Sequence, residues 1–292
     1  MFVPSKRSIL KGSYKRPPSR SRALLIGASL FFITLSALTG LAAWSSGNPR
    51  VTIQTLHISG TEKLEVETLK DFVTQSLKGR YVYLFSRANI FIYPDHTIEK
   101  KLLSTFLELK SARLSRDSFT ALSLTVAERK PRYLWCGEGR DLKTEIPDRC
   151  YFVDEDGVIF MNAPYFSGRV YFEMYGVPEG ERLAVEEGRV EPLGRRFLRE
   201  DTFTRVTSFI EAVKGLGIEP VFLMMKEEGD ELLLENGVRL IFNRDNAPEE
   251  MANTLSNALQ SEVLPLVALT DINTKLEYVD LRYPKRVYYK FE

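Results

Sequence analysis

Residues 23–44 read ALLIGASLFFITLSALTGLAAW, with no charged residue and no proline. As a helix, this stretch rises about 33 Å, enough to cross a hydrocarbon core of about 30 Å. Ahead of it stand Lys6, Arg7, Lys11, Lys15, Arg16, Arg20 and Arg22 with no acid among them, and behind it the first charge is Arg50. Flanking cations hold a helix end on the cytoplasmic side, so the asymmetry predicts an N-in anchor with everything after Trp44 outside the cytoplasm. A cleaved signal peptide has a shorter apolar core and a small-x-small site, which Leu41-Ala42-Ala43 matches poorly. The basic tail, broken by Pro17-Pro18, reads as disordered.

Charge is segregated along the chain. Eight of the 40 bases and none of the 39 acids precede residue 51, so the rest carries 32 bases against 39 acids, a net of −7. An acidic outer part has no basic face for nucleic acid. Its length of roughly 240 residues has room for two ordinary domains. The only cysteines, Cys136 and Cys150, bracket the polar stretch GEGRDLKTEIPDR. In an oxidising compartment they would close a loop of about 15 residues. Two unpaired thiols are the other reading, and with neither histidine near in sequence a metal site is not expected.

The first 80 outer residues alternate in period. VTIQTLHISG (51–60) reads as a strand ended by Gly60, and residues 64–77 place Leu69, Phe72, Val73 and Leu77 on one helical stripe. An irregular aromatic stretch follows, then a second helix, 98–106, with Asp95 as its cap. Residues 109–114 and 119–129 are strands, the second with Leu122, Leu124 and Val126 alternating. Further on, CYFVDEDGVIF (150–160) is a hairpin turned at Asp156-Gly157, since the oxygen ligands and downstream Glu of a calcium loop are missing after Asp154, Glu155 and Asp156. Residues 176–200 read as irregular. Asp201 is expected to cap a helix carrying Phe203, Val206, Ile210 and Val213 on one face. Three strands follow, read as antiparallel, the last two joined at Asn236-Gly237. Next comes a helix with Pro248 in its first turn. The chain closes on KLEYVDLRYPKRVYYKFE (275–292).

Several of these runs carry a resemblance. Ile53, Leu56, Ile58 and Gly60, then Leu122-x-Leu124-x-Val126-x-Glu128-Arg129-x-Pro131 with Trp135, resemble a POTRA module. POTRA modules occur in several envelope proteins. The Val153-Asp154-x-x-Gly157 hairpin and the ending Tyr278-x-Asp280-Leu281-Arg282-Tyr283-x-x-Arg286-Val287-Tyr288 narrow the resemblance to the FtsQ/DivIB family of bacterial cell-division proteins. The implied class is α+β: cytoplasmic tail 1–22, transmembrane helix 23–44, linker 45–50, a POTRA domain 51–131 (β-α-α-β-β), and a mixed α/β domain 132–292 with an antiparallel sheet. The resemblance implies a single-pass protein of the cytoplasmic membrane at the division septum. Its partners would be the small coiled-coil division proteins of the FtsB/DivIC and FtsL type.

Chemistry is not what the residues suggest. His57 falls on a strand and His96 in the first turn of a helix, both positions where packing or solvation accounts for them. No serine elbow or phosphate loop occurs, and Cys136 lacks a basic neighbourhood. The expectation is a non-enzymatic scaffold without cofactor, metal or small-molecule substrate. A last strand often forms a sheet edge whose free N–H and C=O groups pair with another chain. Tyr283, Lys285, Arg286, Val287, Tyr288, Tyr289 and Lys290 are therefore the expected partner-binding residues. The competing readings are a POTRA-bearing assembly or secretion component and a membrane-anchored enzyme.

Overall fold

The computed structural model describes residues 20–139, 149–178, 192–260 and 264–292. The basic tail and most of the loop between the cysteines lie outside these residues, as does 179–191 of the stretch read as irregular. Helix α1, Arg20–Ser46, contains an apolar segment, Leu24–Ser46, whose 23 residues are long enough to cross a membrane. The large apolar side chains from Leu24 to Leu41 are uncovered by the rest of the chain. Among the described residues, one helix is thus fit for a membrane anchor.

After it come β1 (Thr55–Ser59), α2 (Val66–Ser76), a hairpin of two-residue strands β2 (Arg80–Tyr81) and β3 (Phe85–Ser86), α3 (Asp95–Thr105), β4 (Leu109–Arg116) and β5 (Ala121–Glu128). Asp95 is the first residue of α3 rather than a cap standing ahead of residue 98. β1, β5 and β4 form a three-stranded sheet in that order. The Thr55 N–H donates to the Thr120 carbonyl and Ser59 Oγ meets Thr125 Oγ1; both strands advance in the same direction, so β1 and β5 are parallel. Gly60 ends β1 at φ +90°, where a Cβ would stand 1.9 Å from the Val126 carbonyl oxygen. Only glycine fits there.

The remaining strands are β6 (Tyr133–Trp135), β7 (Tyr151–Val153), β8 (Ile159–Asn162), β9 (Phe172–Tyr175), then, after α4 (Glu200–Gly215), β10 (Pro220–Met224), β11 (Asp230–Leu234) and β12 (Arg239–Phe242). Helices α5 (Pro248–Gln260) and α6 (Leu266–Thr270) lead to β13 (Leu276–Asp280) and β14 (Tyr288–Phe291). These nine strands make one sheet in the order β14-β13-β12-β11-β10-β9-β6-β7-β8. The sheet is mixed, which corrects the expectation of an antiparallel one. The neighbours β10/β9 and β12/β13 are parallel because α4 and the α5–α6 stretch return the chain to the same end, and β6/β9 are parallel because the antiparallel β7 and β8 intervene between them in sequence. One face buries Phe203, Val206, Phe209, Ile210 and Val213 of α4 and Met251 and Leu255 of α5 against Leu232, Leu240, Phe242, Leu276 and Val279. The other face gathers Leu134, Phe152, Phe160, Tyr175 and Phe222.

Asp201 is not the cap of α4. The N-cap position is Arg199, which makes no side-chain cap bond, and Asp201 sits inside the first turn facing Arg205 at 3.4 Å. There a carboxylate still meets the positive end of the helix.

By contact density the chain divides into two compact units. One holds residues up to His57, Glu67–Asp95 and Leu114–Ser123; the other holds Ile58–Val66, His96–Arg113 and Leu124–Glu292.

Candidate interaction edge

Two sequence motifs lock together inside the second unit. The Glu128 carboxylate accepts the N–H groups of Glu62, Lys63 and Leu64 at 2.7–3.0 Å, closing the turn after β1. Burial pushes that carboxyl up, but the three N–H donors outweigh it and hold it below the usual range. Arg129 Nη1 donates to Asp154 Oδ2, and its Nε to the Leu107 carbonyl at 3.2 Å. Asp154, 1% exposed, also accepts the N–H groups of Asp156 and Val158 at 3.0 and 2.8 Å. Glu155 and Asp156 bind Lys110. The acidic run is thus a turn held by cations of the chain. Gly157, at φ +78°, lies where a Cβ would come 2.9 Å from the Phe203 ring.

The sulfurs of Cys136 and Cys150 are bonded. They join the end of β6 to the start of β7, strands already paired antiparallel, and so stand well along the sheet from its last strand. His57 and His96 are both exposed, beside Asp117 at 4.0 Å and Glu99 at 3.3 Å. Among the described residues no group of three or more His, Cys, Asp or Glu is placed to hold a metal ion.

The last hairpin is built on a buried corner. Asp280 accepts the Arg282 N–H at 3.0 Å, while Arg282 Nε and Nη2 grip its two oxygens at 3.0 and 2.7 Å. Arg282 Nη1 reaches the Glu228 carbonyl at 2.7 Å, and Asn246 Nδ2 donates to the Arg282 carbonyl at 3.0 Å. From this corner the chain turns through Tyr283-Pro284-Lys285-Arg286, closed by Arg286 N–H to the Tyr283 carbonyl at 3.2 Å. Pro284 presets the turn, and Lys285 at φ +59° takes the position usually given to glycine. Val287 is half-buried against the core, whereas Tyr283, Lys285, Arg286 and all of β14 are exposed.

Strand β14 lies at the sheet margin, with Asp280, Val279 and Tyr278 opposite Tyr288, Tyr289 and Lys290. The Leu281 N–H donates to Ile241 of β12, so Val279 and Leu281 direct their backbone groups to β12 and Tyr278 and Asp280 direct theirs to β14. The Glu292 N–H donates to the Lys275 carbonyl at 2.8 Å, which independently sets the parity of β14. Tyr288 and Lys290 therefore complete the ladder, and the N–H and C=O groups of Tyr289 and Phe291 point away from it. The opposite margin is different: β8 is covered where Ile159 exchanges hydrogen bonds with Gly194 and Arg195, each at 2.8 Å.

Side chains differ between the two faces of β14. Tyr289 and Phe291 share the face of Val279 and Leu276, yet both remain exposed, with their rings edge-to-face at 5.7 Å. On the other face Tyr288 meets Tyr283 at 5.5 Å. There an alternating row of charges crosses the sheet: Lys290 to Glu277 at 2.6 Å, Glu277 to Arg239 at 2.8 Å, Arg239 to Glu231 at 3.7 Å, and Glu231 to Lys226 at 2.8 Å. The Lys290 hydrogen bond, followed by the Arg239 charge, holds the Glu277 carboxyl below its ordinary value against the burial that opposes it. Lys290, expected to greet a partner, is thus already engaged. Phe291 was outside the expected set, although its alternation with Val287 and Tyr289 marks it as their equal.

Neither a protein-family model nor a curated protein matches this chain in sequence.

Proposed function

We propose that the chain is a non-enzymatic, membrane-anchored scaffold whose β14 edge takes up a strand from a partner protein. The observation that carries this reading is the outward row of N–H and C=O groups on Tyr289 and Phe291, flanked by exposed rings on both faces. An added strand would bond to those groups for affinity, while side chains meeting Tyr289 and Phe291 would read the sequence. Lys290 is the only charge on the strand, which leaves the edge open rather than defended. Anchoring by α1, with the N-terminus cytoplasmic and the rest outside, would confine partner and scaffold to one membrane and raise their effective concentration.

The FtsQ/DivIB resemblance gives the proposal its setting: the cytoplasmic membrane at the division septum, with FtsB/DivIC-like and FtsL-like coiled-coil proteins as partners. Tyr289→Pro tests it sharply. Its N–H takes no part in the β13–β14 ladder, so proline removes an outward donor from a tolerated edge position. The full chain in lipid nanodiscs should keep its fold by circular dichroism and lose at least about tenfold in affinity for such a coiled-coil partner. Unchanged affinity in a folded variant would refute the docking mode.

A further inference from the structure

The end of α1 is fastened to two apolar prominences, all within the first compact unit. Ser46, the last residue of α1, is buried. Its Oγ accepts the Ser86 N–H at 2.9 Å, and its carbonyl accepts Asn89 Nδ2 at 3.0 Å. Asn89, itself buried, turns its Oδ1 to the Phe91 N–H at 2.9 Å. Whatever plane α1 occupies, the segment 80–92 is tied to its end.

The segment exposes what a soluble surface would hide. The hairpin between β2 and β3 closes with Leu84 N–H on the Tyr81 carbonyl at 2.9 Å, and its tip residues Val82 and Tyr83 are 82% and 93% exposed. Both have positive φ, +48° and +61°. A two-residue turn of this type ordinarily uses Asn-Gly, and a β-branched or aromatic residue is disfavoured there. The fold thus carries strain to hold an apolar tip in the open. Leu84, Phe91, Ile92 and Phe119 are exposed too, with the Phe91 and Phe119 rings 6.1 Å apart. Cations stand beside these rings: the Arg87 guanidinium lies 5.3 Å from the Tyr81 ring centre and that of Arg116 lies 5.0 Å from Phe91.

Reach decides the occupant. Three extended residues place the tip within about 10 Å of Ser86, whose N–H stands 2.9 Å from Ser46 Oγ at the helix end. The headgroup layer on each side of a bilayer is about 5–7 Å deep. Aromatic rings with an apolar body and arginines facing phosphate are the residues that settle in that layer. We propose that the β2–β3 tip and the Phe91–Phe119 pair dip into the headgroup layer of the membrane that α1 spans, with Arg87 and Arg116 meeting lipid phosphates. This rests on α1 being a membrane anchor. It would hold the first unit against the bilayer by a second contact rather than by a lone tether.

The native cysteines are bonded to each other, so single cysteines introduced at Val82, Tyr83, Leu35 or Glu235 accept a thiol-reactive fluorophore without reduction. Each labelled full chain is reconstituted in phosphatidylcholine–phosphatidylglycerol vesicles carrying a nitroxide either at the headgroup or deep in the acyl chain. Leu35, within α1, should be quenched by the deep nitroxide. The Val82 and Tyr83 labels, taken together, should be quenched by the headgroup nitroxide about twofold or more above exposed Glu235. Quenching at Leu35 with the tip labels no higher than Glu235 overturns the inference and leaves the anchor standing. Absence of quenching at Leu35 removes the anchor and the inference together.

Discussion

The Arg129–Asp154 pair offers the most quantitative test of how the second unit is held together. Asp154 is 1% exposed, and Arg129 is its only cationic hydrogen-bond partner among the described residues. Arg129→Met keeps much of the apolar stem but leaves a buried carboxylate facing nothing positive, which costs about 3–5 kcal/mol. The lost bond from Nε to the Leu107 carbonyl adds about 1 kcal/mol, so a loss of about 5 kcal/mol is expected. Asp154→Asn in that background removes the orphaned charge, while its amide oxygen still accepts the N–H groups of Asp156 and Val158. The double variant should therefore regain about 2 kcal/mol over Arg129→Met alone, a coupling of the size contacting buried groups show. Urea unfolding of the full chain in detergent micelles measures this through Trp135, which is buried and donates its indole N–H to the Gly176 carbonyl at 2.9 Å. A Trp44→Phe background removes the other tryptophan. A loss under about 1 kcal/mol in Arg129→Met, or a double variant no more stable than the single, would refute the claim that this pair locks the hairpin to the end of β5.

Two further outcomes follow from the second unit. Replacing Cys136 and Cys150 by alanine opens a link of sequence separation 14 and should lower stability by about 3 kcal/mol in the same urea assay, with added reductant then having no effect. Asp230 is buried, with Arg244 and the Lys226 N–H on Oδ1, Asp245 nearby, and Oδ2 without a hydrogen-bond partner. Burial raises its carboxyl above the ordinary 3.8 despite the opposing Arg244 charge, so the folded state holds this proton where the unfolded state has lost it. Stability from this group is present below that ordinary value and is lost as pH rises through the raised one. The difference in unfolding free energy between the wild type and Asp230→Asn should shift toward the variant across that rise, and a difference flat with pH would contradict it.

Much of this architecture was legible because its signals are local. The uncharged run 23–44, the stripes of α2 and α4 and the Pro248 start of α5 each follow from a few neighbouring residues, as do the turns at Gly157 and Gly237. The failures are long-range. β6 and β9 are three and four residues long and pair in parallel, each residue with one 39 positions away, so neither their existence nor the mixed sheet could be read from alternation. Asp201 looked like a cap because the apolar stripe begins at Phe203, but Arg199 and Glu200 ahead of it bring the helix start forward. Glu128 and Arg129 stood out as a motif without a physical role, since the turn at 62–64 and Asp154 that they bind are distant in sequence. At the edge, Tyr288 and Tyr289 were grouped together. Only the register separates the residue that completes the ladder from the one that faces outward.

That separation gives the central claim its most direct measurement. Residue-resolved amide hydrogen exchange on the full chain, alone and with a bound coiled-coil division protein, reads each β14 amide in turn. In the free chain Tyr288 and Lys290 should exchange slowly and Tyr289 and Phe291 quickly, and binding should slow the latter two. If Tyr289 and Phe291 are already protected in the free chain, or stay fast in the complex, the edge is not where the partner docks.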